Sequence, residues 1–145
     1  MFRRFRGWVV ACVALLGACS SVPYARRVAQ RQAAYAAAAG APVRRFHFFT
    51  LYSWEPLGER QVAVYARPNQ AWLLDVGPCP GLEFANVLRL TSFAGEVSAN
   101  FDKVFAGHGY PPCLIAGIRP VDVAKLKVAQ AAQRQVEAAP RPAEP

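Results

Sequence analysis

At 145 residues the chain has room for one domain and its ends. Its net charge of +8 suggests a polyanionic partner, but the distribution argues against nucleic acid. Between Phe46 and Val123 only Arg60, Arg67, Arg89, Lys103 and Arg119 are basic, against seven acidic residues, so the stretch most able to fold carries no basic stripe.

The chain opens with Arg3, Arg4 and Arg6 ahead of an uncharged run from Gly7 to Ala18. That run is too short for a bilayer-spanning helix, which needs about 20 apolar residues. A basic segment followed by a short apolar one reads as a secretory signal, residues 1–18. Leu16-Gly17-Ala18-Cys19 resembles the bacterial lipobox, in which small residues precede a cysteine that is lipidated (diacylglyceryl and palmitate) and becomes the mature N-terminus. Small side chains let the peptide lie extended across a narrow protease cleft, and only the thiolate sulfur can accept the lipid. The alternative is ordinary cleavage after Ser20, with Ala18 and Ser20 as the small pair, which releases a soluble periplasmic protein. Ser20 after the cysteine, where aspartate favours inner-membrane retention, points to the outer membrane and a periplasm-facing domain.

Residues 19–43 read as a lipidated N-terminus and tether. Val28 to Ala39 is an alanine-rich helix former with little to bury, Gly40 is a natural stop, and Pro42 forbids continuation. Arg26, Arg27, Arg31, Arg44 and Arg45 make the flank basic; beside an anionic bilayer each such charge contributes roughly 1 kcal/mol, and otherwise they simply solvate a linker.

Residues 44–137 read as a β-rich domain. The segment from Arg44 to Trp54 is aromatic and near-continuously apolar, which predicts a strand buried on both faces. Gln61–Ala66 and Ala71–Val76 predict a hairpin closed by Arg67-Pro68-Asn69-Gln70, with proline and asparagine suited to the two central positions of a type I turn. Leu82 to Ala85 is a candidate helical turn. A second hairpin is expected around Phe93-Ala94-Gly95, with Gly95 free to take a positive φ. Lys103 onward gives a short strand, Cys113 to Ile118 a last strand closed by Pro120, and Asp122 can cap a helix from Val123 to about Val136. Residues 138–145 are Pro/Ala-rich and read as a disordered tail. The expected fold is α+β, mainly β: a small antiparallel sheet or partly open barrel of about six strands with a C-terminal helix.

Cys12 leaves with the signal. Cys79 and Cys113 are then the only thiols of the domain, and in an oxidising compartment such a pair becomes a disulfide. No C-x-x-C pair suggests redox chemistry, and no ligand spacing suggests a metal; no cofactor is expected. His47 sits within a strand pattern, where a hydrogen-bonded histidine is the ordinary reading. His108, in "GHGY", is loop-borne; with a nearby carboxylate it could serve a small periplasmic hydrolase-like enzyme, but no G-x-S-x-G or similar signature accompanies it. Glu55 and Glu59 flank a Pro-Gly turn, where solvated carboxylates are usual, and Asp75 is expected to bond loop amides. Trp54, Tyr65 and Trp72, with the Phe46-Phe48-Phe49 cluster, are candidates for a ligand groove or for core, and strand aromatics favour core. The functional expectation is a lipid-anchored envelope protein, a non-catalytic binding or structural module. Its expected partners are the membrane, through the N-terminal lipid, and an envelope protein or cell-wall component.

Trp54, Leu57-Gly58, Arg67-Pro68-Asn69, Leu73-Leu74, Cys79, Leu90-Thr91-Ser92, Phe101-Asp102, Cys113 and Ile118-Arg119-Pro120-Val121-Asp122 together resemble an uncharacterised family of small proteobacterial exported proteins and lipoproteins, known only as a domain of unknown function. The resemblance spans roughly Phe46 to Leu126. It implies export and a paired-cysteine domain, and it supplies no catalytic residue. The "FAGHGYPP" stretch is longer than the family's usual connection, which separates His108 from the family pattern.

Overall fold

The structure, a computed structural model, describes residues 23–139. The signal, Cys12, Cys19 and the tail beyond residue 139 lie outside the described residues. Helix α1 spans Tyr24–Ala38 and helix α2 spans Val123–Ala138. Between them run β1 (Arg45–His47), β2 (Ser53–Pro56), β3 (Gln61–Arg67), β4 (Gln70–Val76), β5 (Arg89–Leu90), β6 (Glu96–Ser98), β7 (Lys103–Phe105) and β8 (Cys113–Val121), with one 3-10 turn at Leu82–Phe84. Six strands form a curled antiparallel sheet in the order β2-β3-β4-β8-β7-β5, and β1 pairs with β6 in a second small sheet.

The β3–β4 hairpin follows the local sequence. Val62 and Val64 alternate with Ala63 and Tyr65, and Trp72, Leu74 and Val76 with Ala71 and Leu73, so each strand presents one row to each side of the sheet. Pro68-Asn69 makes the turn without a positive φ, and a register shift between Tyr65 and Arg67 accommodates it.

Two cores result, one on each face. The first joins Val62, Val64, Trp72, Leu74, Cys79, Ile115 and Ile118 to Phe46 and Val97 of the small sheet. The second lies under the helices and joins Ala63, Leu73, Val121 and Leu57 to Tyr35 of α1 and Leu126 of α2. Asp122 caps α2 as expected, its Oδ1 accepting from the Lys125 amide at 3.0 Å. The Cys79–Cys113 disulfide is formed, with Cα atoms 5.5 Å apart and 34 residues between them in sequence. It ties the end of β4's exit loop to the start of β8. Gly81, at φ +82°, passes under the Tyr110 ring so closely that a Cβ there would lie 2.5 Å from it.

Four expectations are corrected. The α1 segment is not a free spacer, because its small-residue face (Ala34, Tyr35, Ala38) is buried against β3 and β4. Arg44 to Trp54 is not one buried strand; the chain bends between β1 and β2 and leaves Phe49 98% exposed. The Phe93–Glu96 turn forms, with Ala94 at φ 51° and Gly95 at φ 76° as in a type I′ turn, and its ends exchange two hydrogen bonds of 3.0 and 2.9 Å. Its flanks then part company, β5 pairing with β7 and β6 with β1, so no second hairpin extends from it. Finally, β8 does not stop at Pro120. It runs to Val121, because Pro120 needs no amide donor there and its carbonyl accepts from Gly40 N at 2.8 Å.

Asp102, one of the residues that carry the family resemblance, is buried at 3% exposure. Its carboxylate accepts from Thr91 Oγ1 at 2.6 Å and from the Ser98 amide at 2.7 Å. The two bonds clamp the β6–β7 turn, where Asn100 takes a φ of 61°, to β5.

Candidate functional site

The aromatic residues singled out in the sequence do not share one groove. Trp72 is buried in the first core, its ring stacked on Phe46 with centroids 4.4 Å apart, and Trp54 packs against the same core. Tyr65 lies on the opposite face, under α1. There it belongs to a polar chain that sequence spacing does not reveal. Tyr35 Oη donates to Glu55 Oε2 at 2.6 Å, and because its single proton is thereby used, Tyr65 Oη donates to Tyr35 at 2.7 Å. Arg31 Nη1 completes the chain at 3.2 Å from Glu55 Oε1. Burial, then hydrogen bonding to Glu55, holds the Tyr35 phenol far above the usual tyrosine range; burial raises that of Tyr65 too. Both stay neutral at any physiological pH. Glu55 therefore anchors α1 to the sheet, and Glu59, which is exposed, does not join it in a carboxylate pair.

Asp75 likewise departs from its expected loop role. It accepts from Gln61 Nε2 at 2.7 Å and pairs with Arg119 at 3.4 Å across neighbouring strands. His47 is an exposed strand histidine, its Nε2 3.0 Å from Glu96 Oε2, and Arg45 holds the other oxygen of Glu96 at 3.0 Å.

Three of the surface concavities among the described residues gather candidate aromatic or charged side chains. His108 lines one of about 320 Å³ with Val87, Arg89, Phe105 and Tyr110. The Arg89 guanidinium sits 4.5 Å above the Phe105 ring, a cation–π arrangement. No carboxylate lines this cleft, and among the described residues His108 makes neither hydrogen bond nor ion pair. The general-base geometry needed for a hydrolase is thus not assembled around it. Among the described residues no cluster of metal-ligating side chains occurs, and no helix is long and apolar enough to cross a membrane.

The second concavity, of about 330 Å³, lies at the β3–β4 turn. His47, Phe48, Phe49 and Thr50 form one wall and Arg67 and Gln70 the other. Phe48 N donates to Gly95 O at 2.9 Å, which brings the Phe93–Glu96 turn alongside; Phe93 is itself 82% exposed. Phe48 is half-buried against the first core, whereas Phe49 faces outward beside a guanidinium, an amide and a hydroxyl, which combines one stacking surface with hydrogen-bonding groups. Sequence reading placed Phe48 and Phe49 in its aromatic cluster but had no signal for Arg67 and Gln70, which the hairpin turn brings opposite them. The third concavity, of about 460 Å³, opens between α1 and α2.

A curled antiparallel sheet with paired helices on one face, a small sheet on the other and a disulfide across its lower strands defines a small α+β module, with no assembled catalytic constellation among the described residues. The family model described as "Family of unknown function (DUF6491)" matches residues 1–137, and the chain belongs to that family. The match includes α1, in keeping with its place in the second core. No curated protein and no solved structure matches the chain.

Proposed function

We propose that this chain is a lipid-anchored, non-catalytic module of the bacterial cell envelope that binds a cell-wall glycan through the cleft at the β3–β4 turn. The observation that carries the binding reading is Phe49, 98% exposed in a cleft shared with Thr50, Arg67 and Gln70. An aromatic ring left in water costs the fold its burial, and it is well suited to stack on the C–H face of a sugar ring. Arg67 can pair with a carboxylate of such a polymer and Gln70 and Thr50 with its hydroxyls. Export is supported by the order of basic, uncharged and small-residue segments that ends at Cys19, and by the Cys79–Cys113 bridge, which persists in an oxidising compartment. Ser20 favours the outer membrane over the inner.

Retention on purified cell-wall sacculi tests the binding. The wild-type chain is expected to be retained and Phe49→Ala to be lost; equal retention of both, or of neither, refutes the glycan reading, and capture of a single envelope protein instead would redirect it. Mass spectrometry of the mature N-terminus tests the anchor, and an unlipidated chain beginning at Ser21 overturns it.

A further inference from the structure

We propose that the cleft between the N-terminal half of α1 and the C-terminal half of α2 docks on an anionic phospholipid headgroup. The proposal rests on the anchoring reading above for its setting. The helices run antiparallel and are fastened there by Gln133 Nε2 donating to Gln30 O at 2.8 Å. Only Val28 is buried in the first half of α1, beside Gly58 of the β2–β3 loop, and α2 buries nothing beyond Leu126, so the faces these two half-helices turn to each other stay open to solvent.

Arg27, Arg31 and Arg134 line the cleft from both helices, against one carboxylate, Glu137. Arg31 is held in place by Glu55, whereas Arg27 and Arg134 are exposed and make no ion pair among the described residues. Two unpaired guanidiniums converging on a cavity of about 460 Å³ suit a phosphodiester, which accepts their forked donors.

Where the chain leads decides the source of that phosphate. Cys19 stands five residues before Tyr24, the first residue of α1. Even fully extended, those residues span at most about 18 Å. A lipid on Cys19 therefore holds this end of α1 close to the bilayer surface, within reach of its headgroups. The aromatic cleft lies at the other end of β3, which is seven residues long and hence about 20 Å away. The molecule is thus polar in the geometric sense: arginines at the membrane end, aromatic rings at the far end.

The test uses the mature chain carrying Cys19→Ser, which has no lipid, so its outcome does not depend on whether the native chain is acylated. Both cores lie within the described residues, so this chain keeps the whole fold. Co-sedimentation is measured with vesicles of phosphatidylcholine alone and with phosphatidylglycerol added. Binding is expected only to the anionic vesicles, to weaken about fivefold for Arg27→Gln and again for Arg134→Gln, and to fall with added salt. Arg27→Lys with Arg134→Lys should retain most of it. The proposal is overturned if anionic vesicles are not bound, or if Arg44→Gln with Arg45→Gln weakens binding as much as the cleft variants do. Equally strong binding of free glycerol phosphate, without a bilayer, would also overturn it.

Discussion

Replacing Tyr35 by Phe removes one oxygen and leaves the packing of α1 otherwise intact. That oxygen makes two bonds, one to the Glu55 carboxylate at 2.6 Å and one from Tyr65 at 2.7 Å. A hydrogen bond to a charged group contributes about 1.5–3 kcal/mol and a neutral one about 0.5–1.5 kcal/mol. Glu55 keeps its Arg31 partner and is 29% exposed, so water re-solvates part of what is lost. The lower end of the range then applies, about 2 kcal/mol. For a body of this size that corresponds to a fall in Tm of roughly 6–10 °C. Urea denaturation followed by tryptophan fluorescence and by far-UV circular dichroism reads the change, with the m-value expected to stay constant. A loss below about 0.5 kcal/mol, the range of ordinary surface substitutions, would mean that α1 is not docked in solution and is a spacer after all.

The same phenols set an alkaline limit on stability. Tyr35 and Tyr65 have raised pKa values in the folded chain, so the folded state holds their protons more tightly than the unfolded state does. Their stabilisation is complete below the unfolded tyrosine value of about 10 and is lost as pH rises beyond it; a denaturation series above that pH should show a steeper decline for the wild type than for Tyr35→Phe. Removing the disulfide with Cys79→Ala and Cys113→Ala, which opens a 34-residue loop, should cost about 3–4 kcal/mol, checked by comparing denaturation midpoints with those of the oxidised wild type. Ala94→Asn places a residue tolerant of positive φ at an exposed position now held by alanine at 51°, and should raise stability by about 0.5–1 kcal/mol; a Tm that falls instead would contradict the type I′ assignment.

What was legible in the sequence is what is decided locally. The β3–β4 hairpin announces itself by alternation and by Pro68-Asn69, the α2 cap by Asp122, and the bridge by two cysteines left after the signal is set aside. A turn at Phe93-Ala94-Gly95 was visible through Gly95. The destinations of its flanks were not, because β5 and β6 are completed by β7 and β1, partners that no local pattern names. Helix α1 misled for a different reason. A face built of alanines and a single tyrosine has little apolar area, yet alanine lets the helix lie close to the sheet, and Tyr35 reaches Glu55 and Tyr65, 20 and 30 residues away in sequence. Near-continuous apolarity between Arg44 and Trp54 suggested burial, whereas the bend there turns Phe49 outward. The two clefts were equally hidden: Arg67 meets Phe49, and Arg134 meets Arg27, only after the chain has folded back.

The position of the disulfide has a further consequence for how the chain responds to proteolysis. The bridge joins the exit of β4 to the entrance of β8, and everything between them (β5, β6, β7 and the glycine-flanked His108 loop) belongs to one closed covalent ring. A single cut anywhere from Pro80 to Pro112 therefore releases no fragment. The nicked chain keeps β4 and β8 side by side as the central strands of the sheet, and the exposed loop around His108 can be clipped without the two halves drifting apart. Within this ring, separation of the two halves needs reduction as well as cleavage.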